Sequence, residues 1–132
     1  MRTGGADEIQ DFLYMIDLKK ARCTRVNRSE SPIGLEEVKQ FLNHVPNWHS
    51  DNFKGNCVVR RKFVLSDYGQ ARRFVDLVAD LAEFEDHHPE IIFGYIYVEV
   101  IYWTHVVDGL HMNDFIMAAK TDAVYENMVR RE

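Results

Sequence analysis

The chain has 132 residues, enough for one domain with a modest single core. Hydrophobic residues make up 46% and charged residues 28%, which is typical of a soluble globular protein. The net charge of −5 argues against a surface for duplex nucleic acid, because phosphate contacts need clustered Lys and Arg. The one basic cluster, residues 19–28, is short, and we interpret it as solvated.

The cysteines and the first apolar stretch bear on the compartment. Cys23 and Cys57 are far apart and form no CxxC pair, which fits a reduced, cytoplasmic setting better than a disulfide-bonded secreted fold. Residues 12–16 are apolar but follow acidic residues and are too few for a signal peptide or a membrane span. The sequence therefore predicts a cytoplasmic protein with no membrane contact.

Residues 1–34 are predicted to form an N-terminal extension, and residues 35–132 a single domain. Within the extension, the helical spacing of apolar side chains predicts a short helix over residues 7–18. Residues 21–34 are polar, end in Ser-Pro-Ile-Gly, and are predicted to be an extended linker. The extension either lies on the domain or reaches a partner.

The first half of the domain is predicted to be a helix followed by a hairpin. Apolar residues at helical spacing indicate a helix over residues 35–45, which Pro46 ends. Residues 48–53 and 57–65 are predicted strands around a turn at residues 54–56. Val59, Phe63 and Leu65 share the inner face of the second strand.

A long central helix follows. Ser66 or Asp67 is its predicted cap, and apolar residues recur at helical spacing after it. Pro89 disfavours the α conformation at His88, so the helix is predicted to end at about His87. Glu83 lies one turn before His87, and we expect these two side chains to meet.

The second half is predicted to hold strands over residues 91–95 and 97–104 and a last helix over residues 113–130. Val98, Val100 and Tyr102 are predicted to face the core, and Trp103 and His105 the opposite side. Two hairpins in series with three helices favour an α+β fold with an antiparallel sheet and helices on one face. The other sheet face carries aromatic residues, and we expect a second subunit to cover it.

The stretch over residues 83–105 holds three of the six histidines: His87, His88 and His105. Histidine both gives and takes a proton near neutrality. With Glu83 to orient one imidazole and Trp103 as a flat wall, the stretch predicts an acid/base pocket for a planar substrate. No motif for an activated nucleophile is present.

Each of these features also has a simpler interpretation. The two adjacent histidines fit a solvated helix end, His105 fits a surface residue, and the aromatic residues fit ordinary packing. A zinc site would need His87, His88, His105 and His111 to converge, but adjacent histidines seldom point at one ion and no HExxH or CxxC frame is present. We therefore predict no metal.

The pattern also resembles a family signature. Spaced residues match that of the pterin-4a-carbinolamine dehydratases, reading Glu83-x3-His87-His88-Pro89-x5-Tyr95-x9-His105-x8-Asp114. The likeness covers residues 35–128, so it is more specific than a lone His-His-Pro. The resemblance implies a four-stranded antiparallel sheet with three helices packed on one face, assembled as a homodimer or homotetramer.

The resemblance further implies a hydro-lyase that dehydrates 4a-hydroxytetrahydropterin to quinonoid dihydropterin. This reaction recycles the tetrahydrobiopterin-type cofactor of aromatic amino-acid hydroxylases, which makes such a hydroxylase a candidate partner. It uses no metal or organic cofactor. The implied catalytic residues are His87 and His105 as acid/base groups and His88, which mainly holds the pterin; the implied substrate-binding residues are Glu83, Pro89, Tyr95, Trp103 and Asp114.

The chain departs from the family pattern at two residues, and one alternative function stays open. His111 stands where many relatives have a Ser or Thr cap, so a less well capped last helix is expected. Cys23 resembles the first of a cysteine pair whose second member is absent. The alternative function is a non-catalytic dimerisation or assembly factor, since the family includes a coactivator of a homeodomain transcription factor. All three histidines are present, which favours the enzyme.

Overall fold

The computed structural model describes residues 16–131, which fold as three helices and a four-stranded antiparallel sheet. This confirms the predicted fold class. The strands lie in the order β1-β2-β4-β3. In chain order, the elements are α1 Leu35–Leu42, β1 His49–Phe53, β2 Asn56–Val64, α2 Tyr68–Glu85, β3 Glu90–Phe93, β4 Tyr97–Tyr102, a 3₁₀ turn His105–Val107, and α3 Met112–Arg130.

The first hairpin forms as predicted because its turn residues suit the strand twist. Lys54 and Gly55 both have positive φ, 52° and 81°, and Phe53 pairs directly with Asn56 across them. Two consecutive left-handed residues make a tight turn whose twist matches that of antiparallel strands. β2 then pairs with β4 on its other side, which places it inside the sheet.

One face of the sheet forms the core with the helices. On the two central strands, five large apolar side chains on this face are at most 1% exposed: Val59, Phe63, Val98, Val100 and Tyr102. The rings of Phe41 from α1 and Phe115 from α3 stack at 4.8 Å between centroids. Alternate strand residues and the apolar helix stripes thus meet as the sequence periodicity predicted.

α2 begins and ends through specific backbone contacts. The Asp67 carboxylate accepts the Gln70 N–H at 2.7 Å, so the N-cap is Asp67, one of the two residues predicted for it. At the other end, Asp86 is left-handed with φ 53°, and the His87 N–H bonds to the carbonyl of Ala82 at 3.1 Å. The helix therefore stops at Glu85, two residues before the predicted end.

The chain leaves the sheet earlier than predicted after β4. The N–H of Thr104 bonds to the carbonyl of Gly109 at 2.9 Å, which closes a short loop, and Asp108 within it has φ 54°. Because of this loop, His105 lies in a 3₁₀ turn rather than at a strand end. β3 is also shorter than predicted and ends at Phe93.

Residues 16–34 contain no helix or strand and lie against the domain. The Leu18 side chain is buried, and the Ile33 N–H bonds to the Leu110 carbonyl at 2.9 Å. Most of the helix predicted over residues 7–18 falls outside the described residues, and residues 16–18 are not helical. The domain boundary at residue 34 stays a prediction.

The face of the sheet opposite the helices carries ion pairs over a small apolar layer. Arg60 contacts Glu99 through two hydrogen bonds of 2.9 and 2.7 Å. Val58 and Ile101 are fully buried although they point to this side. Cover by a second subunit stays a prediction. Among residues 16–131, no helix is both long enough and apolar enough to cross a membrane.

Candidate functional site

His87 is oriented by a buried carboxylate. Its Nε2 lies 2.7 Å from Oδ1 of Asp114, which is fully buried in the first turn of α3. Oδ2 of Asp114 accepts the Thr104 hydroxyl at 2.8 Å and the His111 N–H at 3.0 Å. A carboxylate that already accepts these bonds keeps the His87 proton on Nε2, which leaves Nδ1 as the open lone pair.

Glu83 pairs with His88 instead of His87. The Glu83 Oε1 to His88 Nε2 distance is 2.6 Å, and the side chains are 80% and 54% exposed. The expected contact between Glu83 and His87 is therefore wrong. The left-handed residue Asp86 breaks the helical i,i+4 geometry, so His87 turns toward Asp114.

His105 is exposed and contacts the indole beside it. Trp103 Nε1 donates to His105 Nδ1 at 3.3 Å, and the two rings meet edge-on at 5.0 Å between centroids. Since Nδ1 accepts, the neutral ring carries its proton on Nε2. The contact is at the long end of hydrogen-bond geometry, so it holds the ring loosely.

These imidazoles line one cleft of about 670 Å³. Its walls come from residues 23–26, 85–88 and 103–106, together with Asn113. The structure thus brings together His87, His88, Trp103 and His105, which are separated along the chain by the whole β3–β4 hairpin. The volume lies in the range of sites for small molecules.

The other predicted site residues lie outside the cleft lining. Asp114 is behind His87, and Glu83 touches the cleft only through His88. Pro89 follows the cleft residues without lining it. Tyr95 is 75% exposed and lies beside Tyr68, with ring centroids 6.2 Å apart, because β3 carries the chain away from the cleft.

One wall of the cleft was not predicted, namely residues 23–26 of the N-terminal extension. The Cys23 N–H bonds to Glu85 Oε1 at 2.9 Å. The Thr24 backbone exchanges two bonds with the Asn113 side chain, of 3.0 and 2.7 Å. A signal for this wall exists in the sequence, because Glu85 is a carboxylate on the otherwise apolar stripe of α2 and needs partners there.

Glu85 has those partners and is ionised. Burial alone would raise the pKa of Glu85, but the Cys23 N–H and the bonds from Arg22 and Lys120 together hold it below its usual value. The Arg22 Nε and Lys120 Nζ atoms lie 3.0 and 3.3 Å from Glu85 Oε2. This cluster joins the extension to α2 and α3 directly beside the cleft.

Cys23 is inert as a nucleophile. Burial, and then the negative charges of Glu85 and Asp114, raise the pKa of the Cys23 thiol to about 12. The thiol therefore stays protonated near neutral pH, and only the thiolate is reactive. Within residues 16–131, no group of three or more His, Cys, Asp or Glu is arranged to hold a metal ion.

His111 caps α3 well, so the expected weak cap is wrong. Its Nδ1 accepts the Asn113 N–H at 3.0 Å, while its own N–H bonds to Asp114, which completes a capping box. Nε2 donates in turn to Glu30 Oε1 at 3.1 Å. A neutral imidazole thus takes the place of the usual hydroxyl and adds a second bond to the extension.

Comparison with known proteins identifies the family. The family model for pterin 4 alpha carbinolamine dehydratase matches residues 31–124. The chain is 40% identical over 113 residues to a protein of Saccharophagus degradans and 38% identical over 112 residues to one of Chlorobium limicola. Both carry the name "Putative pterin-4-alpha-carbinolamine dehydratase", and each alignment covers 85% of this chain and 99% of the relative.

Solved structures agree with this result. A transcriptional coactivator/pterin dehydratase from Brucella melitensis is similar with a TM-score of 0.65 and 29% identity, covering 72% of this chain and 99% of that one. A pterin dehydratase-like protein identified as a RuBisCO assembly factor in the alpha-carboxysome is similar with a TM-score of 0.52 and 26% identity, covering 60% and 89%. The chain thus belongs to the pterin 4 alpha carbinolamine dehydratase family.

Proposed function

We propose that the chain is a hydro-lyase that dehydrates 4a-hydroxytetrahydropterin to quinonoid dihydropterin by histidine acid/base catalysis. The observation that carries the proposal is the convergence of His87, His88 and His105 on one cleft. Two of these rings are held in defined tautomers by different neighbours, His87 by Asp114 and His105 by Trp103. Unequal surroundings of this kind suit one ring to accept a proton and another to deliver one.

The reaction needs two proton movements. The bond between ring carbon 4a and the hydroxyl oxygen breaks while the adjacent ring nitrogen loses its proton, and the oxygen leaves as water after gaining one. His87 Nδ1 suits the base role, because Asp114 stabilises the imidazolium that forms when Nδ1 takes the proton from nitrogen.

His105 suits the acid role. It is exposed and exchanges protons with water, and its imidazolium form delivers a proton to the departing oxygen. The 3.3 Å contact from Trp103 to Nδ1 is weak enough to yield when that atom is protonated. His87 then releases its proton to solvent and His105 takes one up from solvent, so both rings are restored and the cycle consumes no other reactant.

His88 and Trp103 suit substrate binding. The Trp103 indole offers a flat surface in the cleft wall, against which a planar bicyclic ring stacks. His88 is held by Glu83 at the exposed rim, where it hydrogen-bonds the pterin rather than entering the proton transfers. General acid/base assistance of the kind proposed for His87 and His105 is worth about 10²–10⁴ in rate.

A second candidate is a protein-binding role on the same fold. The similar solved structures include an assembly factor and a coactivator/dehydratase. On this chain, the sheet face away from the helices exposes Val64, which is 60% accessible, and also carries the Arg60–Glu99 pair. We propose that this face mediates homo-oligomerisation in the cytoplasm, and an aromatic amino-acid hydroxylase is the further partner that the dehydration suggests.

The test is direct observation of the unstable substrate. A hydroxylase reaction generates the 4a-carbinolamine, and its ultraviolet band is followed with and without this protein. Faster decay in proportion to added protein supports the dehydratase. Decay at the unassisted rate, with folded protein at micromolar concentration, would reject it and favour the binding role.

A further inference from the structure

The cleft wall formed by residues 23–26 is held in place at two consecutive residues. Cys23 is bonded through its backbone to Glu85, and Thr24 through its backbone to Asn113. Glu85 is the last residue of α2 and Asn113 the second residue of α3, and both are buried. The next residue, Arg25, therefore enters the cleft from a well-positioned backbone.

Arg25 lines the cleft and is exposed, and within residues 16–131 its side chain makes no ion pair or hydrogen bond. The two carboxylates that also line the cleft, Glu85 and Asp86, lie beyond ion-pair distance of it. Glu85 is already neutralised by Arg22 and Lys120. The guanidinium thus offers its five donors to whatever occupies the cleft.

The cleft has room for more than a bicyclic ring. Its volume of about 670 Å³ corresponds to a site for a drug-sized molecule, which is larger than a bicyclic ring alone. A substituent on the ring extends away from the reacting carbon. Arg25 lines the cleft from residues 23–26, whereas the histidines line it from residues 87–88 and from residue 105.

We infer that Arg25 makes the cleft selective for reduced pterins whose side chain ends in an anionic group, a phosphate or a carboxylate. This inference rests on the proposed function and adds the substrate class to it. Guanidinium pairs with phosphate and carboxylate through parallel hydrogen bonds, and the charge–charge attraction is lost with a neutral hydroxylated side chain.

The test compares binding of three dihydropterins that differ only in the side chain: a neutral polyhydroxypropyl group, its phosphate monoester, and a carboxylate-ended analogue. Binding is measured by calorimetry on the full chain, so no turnover is needed. At low salt, the anionic compounds are expected to bind about five- to tenfold more tightly than the neutral one, as for a partly exposed ion pair. Comparison of the affinities of the two anionic compounds shows whether phosphate or carboxylate is preferred.

The variants Arg25→Gln and Arg25→Glu isolate the side chain. Arg25→Gln is expected to abolish the preference and Arg25→Glu to reverse it, with unchanged affinity for the neutral compound. Arg28→Gln is the matched control, because Arg28 is exposed on the same segment but does not line the cleft. It is expected to keep the preference.

The outcomes separate this inference from the function it rests on. Equal binding of all three compounds, or the same preference in wild type and Arg25→Gln, would overturn the role of Arg25 and leave the dehydratase standing. Failure of every pterin to bind would overturn both. A preference that persists in 1 M salt would also contradict a charge-based mechanism, because exposed pairs are screened at about that ionic strength.

Discussion

The Nε2 of His87 and the Oδ1 of Asp114 lie 2.7 Å apart, although 27 positions separate the two residues in the chain. The contact joins the end of α2 to the first turn of α3. Because Asp114 also accepts hydrogen bonds from Thr104 and His111, its position is set by several bonds, and these bonds also fix the position of the His87 imidazole. The orientation of one ring in the cleft therefore depends on the packing of two helix ends.

Asp114→Asn is expected to lower turnover about 100-fold, near the lower limit of general base assistance. An amide nitrogen at the Oδ1 position would donate to His87 Nε2 and move the ring proton to Nδ1, which blocks the proposed base. The measurement is the dehydration rate, together with nitrogen NMR of the His87 tautomer. Asp122→Asn is the control, since Asp122 is a buried carboxylate bonded to Trp48 and Arg61 away from the cleft. Equal activity of the two variants would contradict the role of Asp114.

His105→Ala is expected to slow dehydration by about 10²-fold or more while the protein stays folded. The side chain is exposed, so its removal leaves no cavity. The measurement combines the carbinolamine assay with thermal unfolding. His44→Ala, which removes an exposed imidazole that does not line the cleft, serves for comparison. Unchanged turnover in His105→Ala would remove this residue from the mechanism.

His88→Ala is expected to weaken pterin binding more than it slows the chemical step. The exposed pair with Glu83 places His88 at the rim of the cleft. Loss of one exposed contact between His88 and the pterin is worth about fivefold in affinity. Glu83→Gln is expected to act in the same direction with a smaller effect. Calorimetry gives the affinity and single-turnover kinetics the chemical rate. A loss of rate with unaltered affinity would reverse the assignment of His88.

Glu85→Gln is expected to destabilise the chain by about 1.5–3 kcal/mol at pH 7, the range for hydrogen bonds to a charged group. The folded-state pKa of Glu85 lies below its ordinary value of 4.5, so the ionised form stabilises the fold above that pH. This contribution is lost as the pH falls through the folded pKa. The difference between wild type and variant should therefore shrink in acid.

Denaturant unfolding at pH 7 and at several values below 4.5 measures this effect. Glu36→Gln is the control, because Glu36 forms only an exposed pair with Lys39 at 3.5 Å, and its loss is expected to cost under about 0.5 kcal/mol at any pH. A pH-independent difference for Glu85→Gln would show that the residue acts through shape and not through charge.

Val64→Glu is expected to convert an oligomer into a monomer of 15.5 kDa without loss of fold. Val64 is exposed on the sheet face away from the helices, so a carboxylate there is tolerated in a single chain but not in a buried interface. Light scattering gives the mass. Leu35→Glu, at an exposed apolar position at the start of α1, should leave the assembly intact. A wild-type monomer would refute the oligomer proposal outright.

The regular elements were predictable because each carries a repeating pattern. The stripe of α2 and its cap at Asp67 follow from helical spacing and cap chemistry, and the alternation through Val98, Val100 and Tyr102 identifies the core face of β4. These patterns are local, so a single sequence contains them in full. The family signature also contains the three histidines that line one cleft.

The contacts that were not predicted involve segments without a repeating pattern of apolar residues. Glu83 and His87 do not contact each other as expected, because the left-handed residue Asp86 lies between them. Its conformation cannot be read from the spacing of residues. The contact of Cys23 with Glu85 spans 62 positions and starts from an irregular segment. His111 as a cap was missed because an imidazole is an uncommon acceptor at that position.

The two outermost strands differ in what they offer to other chains. β1 presents His49, Ser50, Asp51 and Asn52 along its free side, and such polar and charged residues discourage further strand pairing. Within residues 16–131, β3 pairs only with β4, and it presents Ile91, Ile92 and Phe93 along its other edge. In concentrated solution, unwanted strand addition and aggregation should therefore begin at β3 and not at β1.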